Sequence, residues 1–169
     1  MHRLTTRKES DLAQATVDSL EPVRMGGRIS DVYLQFANSE IALRTYLQME
    51  DALRAGSLSQ LELESIKLLV SEKNQCDYCL SVHDMKARKL GLDTESRRSV
   101  RRAESTGNAR IDAITTIASL FFSNPGPLPD EIIAQGRAAG LGDQEFVDIS
   151  LAVATIFFTN IVNLSLIHI

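Results

Sequence analysis

Ser59 to Leu90 reads SQLELESIKLLVSEKNQCDYCLSVHDMKARKL. Its first half decides the fold class. Ser59-Gln60-Leu61-Glu62 is a capping-box pattern, which predicts a helix running to about Lys73. On a helical wheel the Leu, Ile and Val residues of Leu61–Val70 fall nearly all round, so this helix is expected to be buried on most sides. Yet it carries Glu62, Glu64 and Lys67. A carboxylate on a buried helix must find a partner or shift its pKa. For Glu62, at the helix start, snorkelling to the surface is equally open, and the wheel does not separate Glu62 from Glu64.

Helix punctuation continues in both directions. Upstream, Ser10 caps a short helix through Leu20 that Pro22 closes, and Gly26-Gly27 breaks the chain before a segment from about Ile29 to Ala37. Ser39 caps a helix from Glu40 to about Arg54, ended by Gly56. Downstream, a helix follows Cys76 and runs to Leu90, with Gly91 in the left-handed C′ position. Asp93 or Thr94 starts the next, which Gly107 ends, and Asn108 caps a helix through Phe122. Pro129-Asp130 opens a shorter one ended by Gly140, and Asp143 caps a last long helix beginning at Gln144. No alternating apolar/polar stretch bounded by turn residues is present. The expectation is an all-α bundle of about eight helices in a single domain over residues 1–163, with about 1–27 as an N-terminal arm.

Composition narrows the function classes. The chain has 169 residues, 44% hydrophobic and 24% charged, with two cysteines and no Trp. A domain of this size buries roughly 70% of its unfolded surface and needs no disulfide staples. The apolar content excludes a disordered tail protein. A formal net charge of -4 argues against non-specific nucleic-acid binding. Two cysteines and no apolar run behind the N-terminal charges point to a reducing compartment, the cytoplasm. No charged residue occurs from Ile149 onward, but the two asparagines at 160 and 163 would be costly in lipid, so a buried or interface helix is expected rather than a membrane span. The last six residues, 164–169, can be back-translated as CTGTCTCTTATACACATC, a transposon mosaic end. On that reading they are non-native read-through and natural sequence stops near Asn163.

The second half of the opening stretch carries the chemistry. Cys76, Cys79 and His83 lie at i, i+3 and i+7, one stripe of a helix. If the helix starts near Cys76, both sulfurs sit in its first turn, where free N–H groups and the dipole stabilise a thiolate. His83, one turn on, can take a proton from the Cys79 thiol directly or through water. A pair at this spacing can close a disulfide once one sulfur is oxidised. Other readings compete: a chance pair, a redox-sensing or stabilising disulfide in a non-catalytic helical assembly, and a zinc site. Zinc needs about four ligands, and Cys76, Cys79 and His83 would have to recruit Glu64 or a distant His. A thioredoxin domain would need strands around the motif.

Glu64, eleven residues, then Cys76-x-x-Cys79-x-x-x-His83 resembles the signature of the alkyl hydroperoxidase D (AhpD)-like branch of the carboxymuconolactone decarboxylase superfamily. Leu58-Ser59, Gly91-Leu92 and Ala139-Gly140-Leu141 agree with it, and the resemblance covers roughly residues 28 to 163. It implies an all-α fold assembled into dimers, trimers or hexamers, and thiol peroxidase activity on organic hydroperoxides or hydrogen peroxide; no cofactor and no metal are expected. By the family pattern Cys79 would be the peroxidatic thiol, Cys76 the resolving one, and Glu64 with His83 the proton relay. An external dithiol, a lipoyl carrier or thioredoxin-like protein, would reset the pair. Two departures stand out. Tyr78 occupies a place where well-studied members often have a second His, and the short polar tail common after the 160–163 region is absent. The decarboxylase that names the superfamily lacks the cysteine pair, so lactone decarboxylation is the lesser expectation.

Lys86, Arg88, Lys89, Arg97, Arg98, Arg101 and Arg102 hold seven of the eighteen basic residues. Such clusters are mostly solvated helix faces, and the functional alternative is a dock for an acidic carrier. The Phe121-Phe122 and Phe157-Phe158 pairs read as core or subunit contact.

Overall fold

The computed structural model describes residues 3–24, 26–124 and 126–167, and no β-strand occurs among them. The helices are α1 (Gln14–Leu20), α2 (Asp31–Phe36), α3 (Glu40–Ala55), α4 (Gln60–Lys73), α5 (Asp77–Lys89), α6 (Thr94–Arg102), α7 (Ala109–Ser123), α8 (Asp130–Ala138) and α9 (Asp143–Ile161). The chain is all-α, as the punctuation predicts. It divides into two compact units: residues 1–52 with 161–169, and residues 53–160.

In the larger unit α4 packs against α5, α6 and α7. All ten residues from Glu62 to Ser71 are buried, so the wheel reading of this helix holds. Leu63, Ile66, Leu68, Leu69 and Val70 are each at most 1% exposed. Burying each of them contributes roughly 1.5–3 kcal/mol before chain entropy is charged against it. They share one core with Ile114 and Ile117 of α7 and Ile149 and Ile156 of α9. Gly136 of α8 lets that helix approach closely: a Cβ there would lie 2.8 Å from Phe146 Cζ.

Most caps fall where the sequence places them. The Ser59 side chain accepts from the Glu62 N–H while the Glu62 carboxylate accepts from the Ser59 N–H, a complete capping box. Asp93 and Asn108 cap α6 and α7, and Gly91 adopts φ 97° after α5. Four expectations need correction. Helix α6 ends at Arg102 rather than near Gly107, because Ala103 takes the left-handed conformation itself. The loop that follows is held by Asp112, which accepts from Ser105 Oγ, Thr106 N and Thr106 Oγ1. At the last helix Asp143 lies in the first turn rather than before it, and Glu145 accepts from the Gly142 N–H. Glu62 does not snorkel: it is 7% exposed, and its second oxygen accepts from Arg110 Nε at 2.6 Å.

The fourth correction falls in the smaller unit. Ser10 does not cap a helix; Glu9–Asp11 is a 3₁₀ turn and α1 starts four residues after Ser10. Its cap comes from α3, where Glu40 Oε2 accepts from Ala13 N at 2.9 Å and Thr16 Oγ1 at 2.6 Å. Leu20, Phe36, Leu43 and Leu47 are buried in this unit, with Phe36 against Tyr46 at 5.6 Å between ring centroids. Residues Val162–Ile167 continue as a π-helix; His168 and Ile169, the end of the suspected read-through, lie outside the described residues. The stretch Asp143–Ile167 is long and apolar enough to cross a membrane by length and mean hydropathy (1.8), as many core helices are. One face of α9, including Ile149, Ala152, Val153 and Ile156, is buried in the core.

Candidate active site

Helix α4 ends in a turn that delivers the cysteines. The Gln75 N–H donates to Glu72 O and the Cys76 N–H to Ser71 O, the paired bonds of a Schellman motif, with Gln75 at φ 57°. This reverses the chain, so Cys76 becomes the N-cap of α5 and Cys79 its third residue. Both sulfurs therefore sit at the positive end of a thirteen-residue helix, whose first N–H groups have no partner within it. The two are joined as a disulfide, with 5.3 Å between their Cα atoms. Cys76 is 2% and Cys79 3% exposed.

His83 lies one turn after Cys79 on α5 and is buried. Its Nδ1 is 2.7 Å from Glu64 Oε2, across the α4–α5 contact. Burial pushes the Glu64 carboxyl up, but the His83 hydrogen bond and the charges of His83, Lys67 and Lys86 outweigh it and hold Glu64 below its ordinary value. Burial pushes the His83 imidazole down; Glu64 pushes back, Lys86 and Lys67 add to the lowering, and His83 stands below its ordinary value. An ionised carboxylate only accepts, so Nδ1–H donates to Glu64 and the neutral ring keeps Nε2 as its open base.

The structure thus brings Glu64 to His83, and Cys76 to Cys79 at the start of the helix that also carries His83. It separates Glu62, which faces Ser59 and Arg110, from Glu64, which faces His83. Two residues of this site escaped sequence reasoning. Lys67 Nζ lies 3.8 Å and Lys86 Nζ 3.9 Å from Glu64 Oε1. The signal for Lys67 was present: a lysine on a helix apolar all round, three residues from a glutamate, is buried and needs a counter-charge.

The basic cluster is largely paired with carboxylates: Arg97 with Asp84, Arg98 with Glu95, Arg101 with Glu72 and Arg102 with Glu104. Arg88 and Lys89 lie in the last turn of α5, where cations complement the helix dipole. The Phe122 and Phe157 rings meet edge to face at 5.7 Å beside a cavity of about 710 Å³ that Phe121 and Val153 also line. With the sulfurs joined, neither is a thiolate ligand, and among the described residues no group of three or more His, Cys, Asp or Glu is placed to hold a metal ion.

The chain matches no family profile and no curated protein. Its architecture matches solved structures closely. One is the AhpD-core protein of Ralstonia eutropha JMP134, described as an uncharacterized peroxidase-related protein. It is 21% identical with a TM-score of 0.85, over 97% of this chain and 89% of that one. An uncharacterized peroxidase-related protein of Silicibacter sp. TM1040 is 22% identical, with a TM-score of 0.77 over 98% and 89% of the two chains. The debrominase Bmp8 is 16% identical, with a TM-score of 0.72 over 92% and 87%. The chain therefore has the AhpD-like all-α fold.

Proposed function

We propose that the chain is a dithiol-dependent peroxide reductase of the AhpD-like branch of the carboxymuconolactone decarboxylase superfamily, with Cys79, Cys76, His83 and Glu64 as its working residues. The observation that carries this reading is the Glu64–His83 hydrogen bond on the helix whose first turn holds the cysteine pair. In the reduced enzyme His83 Nε2 takes the Cys79 proton, and the imidazolium is held by Glu64. The thiolate attacks the near oxygen of the hydroperoxide, the O–O bond breaks, and His83 returns the proton to the leaving alkoxide. Cys79 is now a sulfenic acid. The Cys76 sulfur displaces its hydroxyl, which leaves as water with the Cys76 thiol proton, and the disulfide closes. An external dithiol, such as a lipoyl carrier or a thioredoxin-like protein, then returns the pair to two thiols and is itself oxidised. The cycle fits a reducing cytoplasm and a homo-oligomeric enzyme.

A second reading keeps the same four residues and changes the electrophile. The debrominase among the similar structures shows that this fold hosts other activities. A cysteine pair could replace bromine on a halogenated pyrrole by hydrogen, releasing bromide as the two thiols become a disulfide. One experiment serves both: hydroperoxide loss and bromide release, each driven by a dithiol, for the parent, Cys79→Ser and His83→Ala. Peroxide turnover at least a hundredfold above Cys79→Ser is expected. Parent turnover no faster than Cys79→Ser would leave a redox-sensing or stabilising disulfide, and bromide release alone would move the enzyme to the second reading.

A further inference from the structure

Lys67 is a buried cation that the four-residue scheme does not use. Its side chain is 5% exposed, and its Nζ lies 3.8 Å from Glu64 Oε1. Lys86 approaches the same oxygen at 3.9 Å from α5, but its side chain is 47% exposed. Glu64 therefore divides its two oxygens: Oε2 to His83 Nδ1, Oε1 to two ammonium groups.

We propose that Lys67 is a positioning residue of the redox site, a buried counter-charge that keeps Glu64 a carboxylate with Oε2 on His83 Nδ1, so that His83 meets the cysteine helix turn through Nε2. The idea rests on reading the site as a thiol redox centre in which His83 moves a proton. In this scheme Lys67 acts through Glu64. Its one-turn offset on α4 fixes it beside the carboxylate whatever the state of the cysteines.

The sign of the effect follows from charge alone. The Glu64–His83 pair shares protons and titrates as a unit. A fixed positive charge beside the pair opposes its protonation, so the pair releases its proton more readily. That favours neutral His83 before thiol activation and proton return to the alkoxide afterwards. The groups facing the pair are Lys67 from α4 and Lys86 from α5. The arginines of α6 and α7 are turned elsewhere: Arg97 to Asp84, Arg101 to Glu72 and Arg110 to Glu62.

The chain has three histidines, so the His83 ring resonance can be assigned by comparison with His83→Ala and followed by NMR against pH. In the reduced protein, Lys67→Met should raise the His83 midpoint by roughly one pH unit, because it removes a buried charge 3.8 Å from the carboxylate that His83 shares a proton with. Lys67→Arg should stay near the parent. Lys86→Met should move the midpoint less, and its effect should fade at high salt, because that ammonium is half in water. In peroxide turnover, the acid limb of the rate profile should move up with the midpoint while the peroxide KM is unchanged. An unmoved midpoint in folded Lys67→Met would overturn the assignment. If Lys67→Met does not fold, the parent decides: a midpoint nearly independent of salt supports a buried counter-charge, and one that shifts strongly with salt refutes it. The titration needs no turnover. A parent without peroxidase activity sinks the function alone, and an active parent with an unmoved midpoint sinks the Lys67 role alone.

Discussion

Glu62 and Glu64 are two residues apart on one helix, and both are buried, yet their surroundings differ in kind. Glu62 accepts the Ser59 N–H on one oxygen and Arg110 Nε on the other, at 2.7 and 2.6 Å. Backbone amide and guanidinium keep their protons at any physiological pH, so this carboxylate is locked in place. Glu64 meets an imidazole at 2.7 Å and two ammoniums at nearly 4 Å. An imidazole gains and loses a proton near neutrality. Burial alone therefore does not separate the two carboxylates; the exchangeability of the partner's proton does, and the proposed relay needs that exchangeability.

The comparison breaks most visibly on removal of each carboxylate. Glu64→Ala breaks a buried ion pair with Lys67 and should cost about 3–5 kcal/mol in denaturant unfolding. Where the protein still folds, the variant should lower peroxide turnover by about 10²-fold or more, as loss of a proton relay does. Glu62→Ala loses two hydrogen bonds, one of them the Glu62 half of the capping box. It should cost about 1–3 kcal/mol, while turnover of the folded fraction stays near the parent's. Equal losses of turnover in the two variants would erase the distinction.

A pH series sharpens it. Folding holds His83 below its ordinary 6.5 and Glu64 below its ordinary 4.5. Both shifts are depressions, so the unfolded chain binds more protons in each window. The linked stability is complete above those ordinary values and is lost as pH falls through the folded ones. Unfolding free energy should begin to fall just below pH 6.5 from His83 and steepen below 4.5 from Glu64, each by at most about 1.4 kcal/mol per pH unit. His83→Gln should remove the first slope. Arg110→Met, which removes bonds to Glu62, Glu145 and the Gly140 carbonyl but none to Glu64 or His83, should leave it.

The smallest effect concerns the turn that carries α4 into the cysteine helix. Gln75 adopts a left-handed conformation that costs a non-glycine residue about 1 kcal/mol. Gln75→Gly should stabilise the protein by at most about 0.5 kcal/mol, net of the extra freedom glycine has when unfolded. Both carboxylates should keep their roles, with turnover and the His83 titration unchanged.

Much of the fold was legible because its signals are local. The capping box, the Asp93 and Asn108 caps and the Gly91 turn are each closed by residues within a few positions of one another. The elements that departed from expectation answer to distant or competing groups. Helix α1 starts where Glu40, more than twenty residues away, supplies its cap. Helix α6 stops at Arg102 because Asp112 gathers the polar groups of the following loop, and Gly107 is spent in that loop instead. The cysteine stripe was legible for the same reason as the caps, since i, i+3 and i+7 on one helix is a purely local relation.

By itself the sequence determined that the chain is helical, that α4 is an interior helix, and that Cys76, Cys79 and His83 share one stripe. Those follow from helical period and from capping chemistry, which need no tertiary partner. The helical wheel left Glu62 and Glu64 equal and a family resemblance named Glu64; the tertiary structure supplies the contact itself, Glu64 on His83 Nδ1. Only the tertiary structure turned Lys67 and Lys86 onto one carboxylate oxygen and gave Glu62 to Arg110. The physical reason is that the rotation of α5 against α4 is set by the apolar surface the two bury together. The polar contacts follow from that packing.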